Sequence, residues 1–187
     1  MPVGEIIGLL NELVTEGHTR YFGASNWSAA RIAEANAYDA RNGLMGFVAS
    51  QPEYSLAVPR GGTKAGGAVP ADDLATRFMT AADLRWHDKT GFPAFCYSPT
   101  ARGYFATGGA KAAGSFDAVE TPARLARAQE LARKKGVTAN QIALAWLRAQ
   151  KFPAVPIAGP TSVEHLRDAL GAAVVRLTDG EVKWLAG

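Results

Sequence analysis

The chain has 187 residues, enough for one well-buried domain, and no polar linker long enough to divide it in two. Apolar residues make up 48% and charged residues 20%, with 20 Lys+Arg against 17 Asp+Glu. That balance suits a phosphate-bearing ligand but lacks the clustered basic face of a nucleic-acid binder. One cysteine, Cys96, excludes an internal disulfide and fits a reducing compartment. No secretory leader is read at Met1, and no apolar run approaches the roughly 20 residues of a membrane span. The expected setting is soluble and cytoplasmic.

In chain order, residues 2–16 predict a helix with Pro2 in its first turn, Ile6, Leu9, Leu10 and Leu13 on one face, and Gly17 as its stop. A strand follows at Tyr21–Ala24, then an Ala-rich helix over 28–42 ended by Asn42-Gly43, then a strand at Phe47–Gln51. Residues 52–76, with Gly61-Gly62 and Gly66-Gly67, predict a long functional or disordered loop. A helix near 78–90 stops at Gly91 and leads to a strand at Ala94–Tyr97. A second loose region, 98–118, carries Gly103, Gly108, Gly109 and Gly114. Helices over 121–135 and 139–150 follow, the second opened by a capping box of Thr138 and Gln141. The Arg133-Lys134-Lys135 run is a solvated helix end, where cations complement the dipole. Ala154–Ile157 is the fourth strand, Ser162 opens a helix to Ala169, and Thr178 with Glu181 opens a terminal helix.

Short apolar strands alternating with helices argue for an α/β fold with a parallel sheet buried on both faces. A closed eight-stranded barrel takes about 250 residues, so four strands with enlarged loops match half of a (β/α)8 TIM barrel. In such folds ligands sit beyond the C-terminal ends of the strands. Ser25-Asn26, Gln51, Tyr97-Ser98 and Gly159–Ser162 all fall there. The Asn and Gln amides offer a donor and an acceptor each, which suits a carboxamide, and the Tyr ring offers a stacking surface. The Thr161-Ser162 turn can hold a phosphate at a helix N-terminus.

Each element also has a plainer reading. Asn26 suits a cap for the following helix, and Gln51 an ordinary loop position before Pro52. Tyr97 suits a core aromatic with a locally bonded hydroxyl, and Thr161 with Glu164 suits a capping box. Cys96, beside Phe95 in an apolar run, reads as a buried inert thiol. Jointly, four such sites at successive strand ends point to a dinucleotide held by several loops.

These motifs resemble the aldo-keto reductases, NADP-dependent enzymes on the TIM-barrel fold. The similarity runs through Arg20–Asn26, Gln51–Leu56, Cys96–Pro99, Pro156–Gly159 and Glu164–Asp168, over almost the whole chain. The resemblance implies that Ser25, Asn26 and Gln51 bind the nicotinamide carboxamide and that Tyr97 stacks on the nicotinamide. It assigns Ser98 and Thr100 to the pyrophosphate. Gly159, Thr161, Ser162, His165 and Asp168 fall to the adenosine end and its 2′-phosphate. Two departures bear on that end: Pro160-Thr161 stands where many members carry a Lys or Arg, and Ala169 where many carry Asn. NADP is the expected cofactor, with NAD possible.

The family's catalytic Asp, Tyr, Lys and His come from its first four strands, and the similarity begins at the helix after the fourth. His18, His87 and His165 do not restore the set, and no Lys or Asp is spaced to activate Tyr54, Tyr97 or Tyr104. The expectation is a cofactor-binding C-terminal half, 1–187, with no catalytic residue of its own, no metal site and no activity alone. The alternative is a non-catalytic half-barrel that pairs with a second copy or with a separate N-terminal half. No membrane or nucleic-acid partner is expected.

Overall fold

The structure is a computed structural model and describes residues 1–59, 78–112, 115, 116 and 118–187. Most of the loop predicted over 52–76, with both of its Gly pairs, therefore lies outside the described residues. Four parallel strands, β1 (Ala24–Ser25), β2 (Ser50–Gln51), β3 (Ala94–Cys96) and β4 (Ala154–Pro156), form one sheet in the order β1-β2-β3-β4. The helices are α1 (Val3–Thr15), α2 (Ala29–Asn42), α3 (Ala81–Thr90), α4 (Glu120–Lys135), α5 (Ala139–Arg148), α6 (Val163–Gly171) and α7 (Asp179–Ala186). This is the predicted order. The strands are shorter than predicted because regular pairing holds only near their C-terminal ends. Before β1 and β2 the chain already runs alongside, and Val48 N–H reaches Phe22 O at 3.1 Å.

Helix starts follow local chemistry. Thr138 with Gln141 and Thr178 with Glu181 make reciprocal capping boxes, and so do Thr80 and Asp83 at the start of α3. Asp83 reaches further: one carboxylate oxygen accepts Thr80 N–H, while the other accepts Ala29 N–H in the first turn of α2 at 2.9 Å. One buried carboxylate thus satisfies orphan donors of two helices. Phe78 and Met79, predicted as helical, instead run beside Glu53 and are buried.

The larger core lies between the sheet and α4, α5 and α7, around Leu56, Met79, Phe116, Leu147 and Leu185. Tyr104, Phe105 and Phe116 are buried in it, so the region predicted as loose over 98–118 packs where it carries aromatics. A smaller core joins Val3 and Ile7 of α1 to Ile32, Ala35 and Phe47. Leu9 and Leu13, predicted on one apolar face of α1, point to solvent, because among the described residues that helix packs mainly on α2.

The sheet corrects a further expectation, that of burial on both faces. Ala24, Ser50, Ala94, Cys96 and Ala154 face the helices and are buried. The alternate positions Phe95 and Val155 are each 41% exposed, so the opposite face stands open among the described residues. Cys96 is fully buried, and burial pushes its thiol up to about 12, which makes it the inert side chain expected.

His87 of α3 is buried against this sheet. Its Nδ1 lies 2.7 Å from Phe92 O, which assigns the proton to Nδ1, and its Nε2 lies 3.3 Å from Ser50 Oγ. Burial lowers its pKa below the ordinary histidine value, against the opposing pull of Phe92 O, Asp83 and Asp88. The neutral ring is thus favoured in the folded state, so its stability contribution is present above about pH 6.5 and lost as pH falls through the folded pKa. Denaturant melts between pH 7.5 and 5 should show stability falling with pH, and His87→Gln should flatten that slope. An unchanged slope in the variant would show that another group titrates.

Candidate functional site

Parallel pairing lines up the C-terminal ends of all four strands. At the end of β1 the chain turns at Asn26 with φ of +60°, and just beyond β3 it turns at Ser98 with φ of +52°. Asn adopts this left-handed region more readily than most residues, whereas Ser held there stores strain on the order of 1 kcal/mol. Both turns aim side chains along the sheet edge. The Tyr97 hydroxyl donates to Asn26 Oδ1 at 2.8 Å, across 71 residues of sequence. Between them, Gln51 O accepts Asn26 N–H at 3.2 Å and the Ser25 hydroxyl at 3.3 Å. This network fixes the backbone of Gln51 and leaves its amide exposed beside Ser25.

Two of the plainer readings fail here. Asn26 does not cap α2, since Ser28 Oγ accepts Arg31 N–H in that role. The Tyr97 hydroxyl bonds to a distant strand end rather than locally. At the fourth strand the predicted Thr161–Glu164 capping box is replaced: Ser162, in extended conformation directly before Val163, accepts His165 N–H at 3.1 Å. Thr161 Oγ1 instead lies 3.2 Å from His165 Nδ1.

The predicted residues divide between two hollows. Ser25 and Gln51 line a groove of about 300 Å³ on the open sheet face, with Tyr21, Val48 and Phe95. Thr100, Gly159, Thr161, His165 and Asp168 line a pocket of about 310 Å³ beside the start of α6. Asn26 and Tyr97 stand at the strand ends, while Ser98 and Ser162 shape backbone at the turn and the cap.

The second pocket contains residues that the sequence reading passed over. Arg102 and Lys111 enter its wall, so it holds two cations although none follows Gly159. They arrive there because Ala101, Arg102 and Gly103 all adopt positive φ and fold the loop after β3 back on itself. Their place soon after Tyr97-Ser98-Pro99 was a usable signal; the backbone reversal was not. Asn140 also lines the pocket. Its Nδ2 donates to Asp168 Oδ2 at 2.7 Å, and the Thr138 hydroxyl donates to Asp168 Oδ1 at 2.7 Å. Asp168 is thus clamped to the start of α5. Asn140 Oδ1 remains an acceptor with no partner among the described residues.

Chemically, the edge offers amide, phenol and hydroxyl groups at one end and cations with a helix start at the other. It suits an elongated ligand that carries a carboxamide and phosphates. Proton donors are scarce. Tyr54 and Tyr104 are each 5% exposed, and desolvation raises the Tyr54 phenol far beyond its ordinary range. No cluster of three His, Cys, Asp or Glu side chains suited to a metal occurs among the described residues, and none of their helices is long and apolar enough to cross a membrane.

Comparison with known proteins bears on the family and the fold. The model of the Aldo/keto reductase family matches residues 1–186. A probable aldo-keto reductase 1 from Glycine max is 28% identical over 98% of this chain and 50% of its own length. The aldo-keto reductase yakc [NADP(+)] of Schizosaccharomyces pombe is 28% identical over 97% of this chain and 52% of its own length. The crystal structure of the thermostable aldo-keto reductase Tm1743, in complex with the inhibitor epalrestat, superposes with a TM-score of 0.69 at 26% identity. It covers 100% of this chain and 54% of that one. The chain therefore spans about half the length of the relatives it matches, and its four parallel strands with flanking helices correspond to part of a TIM barrel. With residues 1–186 matched by the family model, the chain belongs to the aldo/keto reductase family.

Proposed function

We propose that residues 1–187 act as one unit, the dinucleotide-binding half of an NADP-dependent carbonyl oxidoreductase of the cytoplasm. The observation that carries this reading is the Tyr97–Asn26 hydrogen bond across the strand ends, with Ser25 and Gln51 beside it and a cationic pocket beyond. Ser25, Asn26 and Gln51 hold the carboxamide, and the Tyr97 ring, steadied through its hydroxyl, supports the nicotinamide. Ser98 and Thr100 face the pyrophosphate. Gly159, Thr161, Ser162, His165 and Asp168 form the adenosine end.

Arg102 and Lys111 supply, from the loop after β3, the positive charge that Pro160-Thr161 lacks, which favours NADP over NAD. The bound dinucleotide supplies a hydride; this chain's residues orient it at the strand ends and shield one side of it. Reduction of a carbonyl also needs a proton donor at the developing alkoxide. Tyr54 and Tyr104 are buried in the core, and the Tyr97 hydroxyl is engaged with Asn26. We therefore assign no catalytic residue to this chain and place the proton donor on a further half-barrel.

Fluorescence titration tests the binding reading. NADPH should bind, and Asn26→Ala or Tyr97→Ala should weaken it by about tenfold, the worth of a lost hydrogen bond at a half-buried site. Indifference to both substitutions would sink the assignment. Arg102→Ala and Lys111→Ala should each weaken NADPH by roughly ten- to a hundredfold while leaving NADH nearly unchanged. Equal losses for both cofactors would remove these residues from the 2′-phosphate. In an aldehyde-reduction assay the chain alone should show no turnover with NADPH. Turnover abolished by Tyr54→Phe or Tyr104→Phe would overturn the assignment of no catalytic residue.

A further inference from the structure

The pocket beside α6 holds one group whose charge changes near neutral pH. Arg102, Lys111, Thr161, His165 and Asp168 are among the residues that line it. His165 is exposed in the first turn of α6, and its ring Nδ1 lies 3.2 Å from Thr161 Oγ1. Its backbone N–H is already given to Ser162 Oγ at 3.1 Å, so the ring carries the chemistry that remains. An imidazole is the side chain whose ordinary titration falls between pH 5 and 8.

The charged groups around it are constant over that range. Arg102 and Lys111 come from the loop after β3, and guanidinium and ammonium groups keep their charge from pH 6 to 8, as carboxylates do. Asp168, one turn further along α6, is held by Thr138 and Asn140 at the start of α5. Glu164 and Arg167 are exposed neighbours on α6 itself. α5, the helix packed on α6, brings one further charge, Arg148, which donates to Ala172 O and Ala173 O beyond the far end of α6. β4 and the residues up to Pro160 carry no charged side chain. Among the described residues lining the pocket, His165 is therefore the one whose charge switches between pH 8 and 6.

The Thr161 contact makes that charge useful to an anion. A neutral ring either accepts the Thr161 hydroxyl at Nδ1 or donates to it from Nδ1. A protonated ring can only donate, so Thr161 Oγ1 becomes the acceptor and its own proton is free to point at a third group. Protonation thus adds a positive charge and keeps a hydroxyl donor free at the same corner of the pocket. A phosphate there favours the protonated ring through both, whereas a ribose hydroxyl gains little from the charge. By linkage, a ligand that prefers the protonated ring binds more tightly as pH falls.

We propose that His165 selects for the cofactor's 2′-phosphate in a proton-dependent way, so that preference for NADPH over NADH rises as pH falls from 8 to 6. Arg102 and Lys111 supply a constant attraction, and His165 with Thr161 supplies the part that varies. The inference rests on the adenosine-end reading above and adds a pH dependence that the constant cations do not give.

Titrations of NADPH and NADH at pH 8, 7 and 6 test it, read as the ratio of the two dissociation constants. The cofactor's phosphate itself gains a proton near pH 6, which acts against the effect but does so equally in every variant. Relative to His165→Gln, the preference for NADPH in the unaltered chain should rise about fivefold from pH 8 to 6, the upper range for an exposed ion pair. His165→Lys should hold the preference above that of His165→Gln by a similar factor at every pH. A second readout follows the ring itself. Among the NMR signals of the three histidines, the one that His165→Gln removes should titrate at higher pH with NADPH bound than with NADH bound. Parallel pH profiles for the unaltered chain and His165→Gln, or equal titration midpoints with the two cofactors, would overturn the inference. NADPH binding that persists in that case leaves the adenosine-end reading standing, whereas no NADPH binding at any of these pH values removes both.

Discussion

Parallel pairing of four very short strands is the constraint on which everything else depends. It aligns every C-terminal strand end on one edge, so groups far apart in sequence become neighbours without long-range side-chain design. Tyr97 meets Asn26 only because β1, β2 and β3 are parallel and in register. A single antiparallel strand would send one of these ends to the opposite rim. The short ladders themselves contribute few hydrogen bonds, and the helices packed behind them, around Ala94, Cys96 and Ala154, hold the register.

The edge separates two kinds of chemistry. Near β1 and β2 the side chains are neutral amides and hydroxyls, anchored through the carbonyl of Gln51. Near α6 the site is charged, with Arg102 and Lys111 facing a carboxylate already tied to α5. One hydrogen bond on each oxygen, from Thr138 and Asn140, fixes the Asp168 carboxylate against the start of α5 and leaves its charge in place. The strained turns at Asn26 and Ser98 lie at the neutral end, where side-chain direction matters more than charge.

Much of this was legible in the sequence. Thr138 with Gln141 and Thr178 with Glu181 set helix starts through contacts three residues apart, and local spacing reveals such contacts. The strand-end residues were legible because parallel topology follows from the alternation of elements. Other features were hidden for identifiable reasons. Helical periodicity gave α1 an apolar face but could not say which neighbours exist to cover Leu9 and Leu13. Ser162 rather than Thr161 caps α6, a choice decided by the backbone angle of one residue. Arg102 and Lys111 carried no signal in the sequence of sharing a pocket, because three successive positive-φ residues, which no composition rule anticipates, bring them together. The double use of Asp83 spans 54 residues and has no local signature.

That carboxylate has a consequence for how such chains can be recombined. Two βα units are often treated as separable modules, each with its own strand and helix. Here the first amide of α2 depends on a side chain at the start of α3, and α2 begins three residues after Asn26. A cut between the two units would leave that amide unpaired at the base of the loop that presents Asn26. An exchange with a relative keeps this contact only when the segment from β1 to α3 moves as a single block.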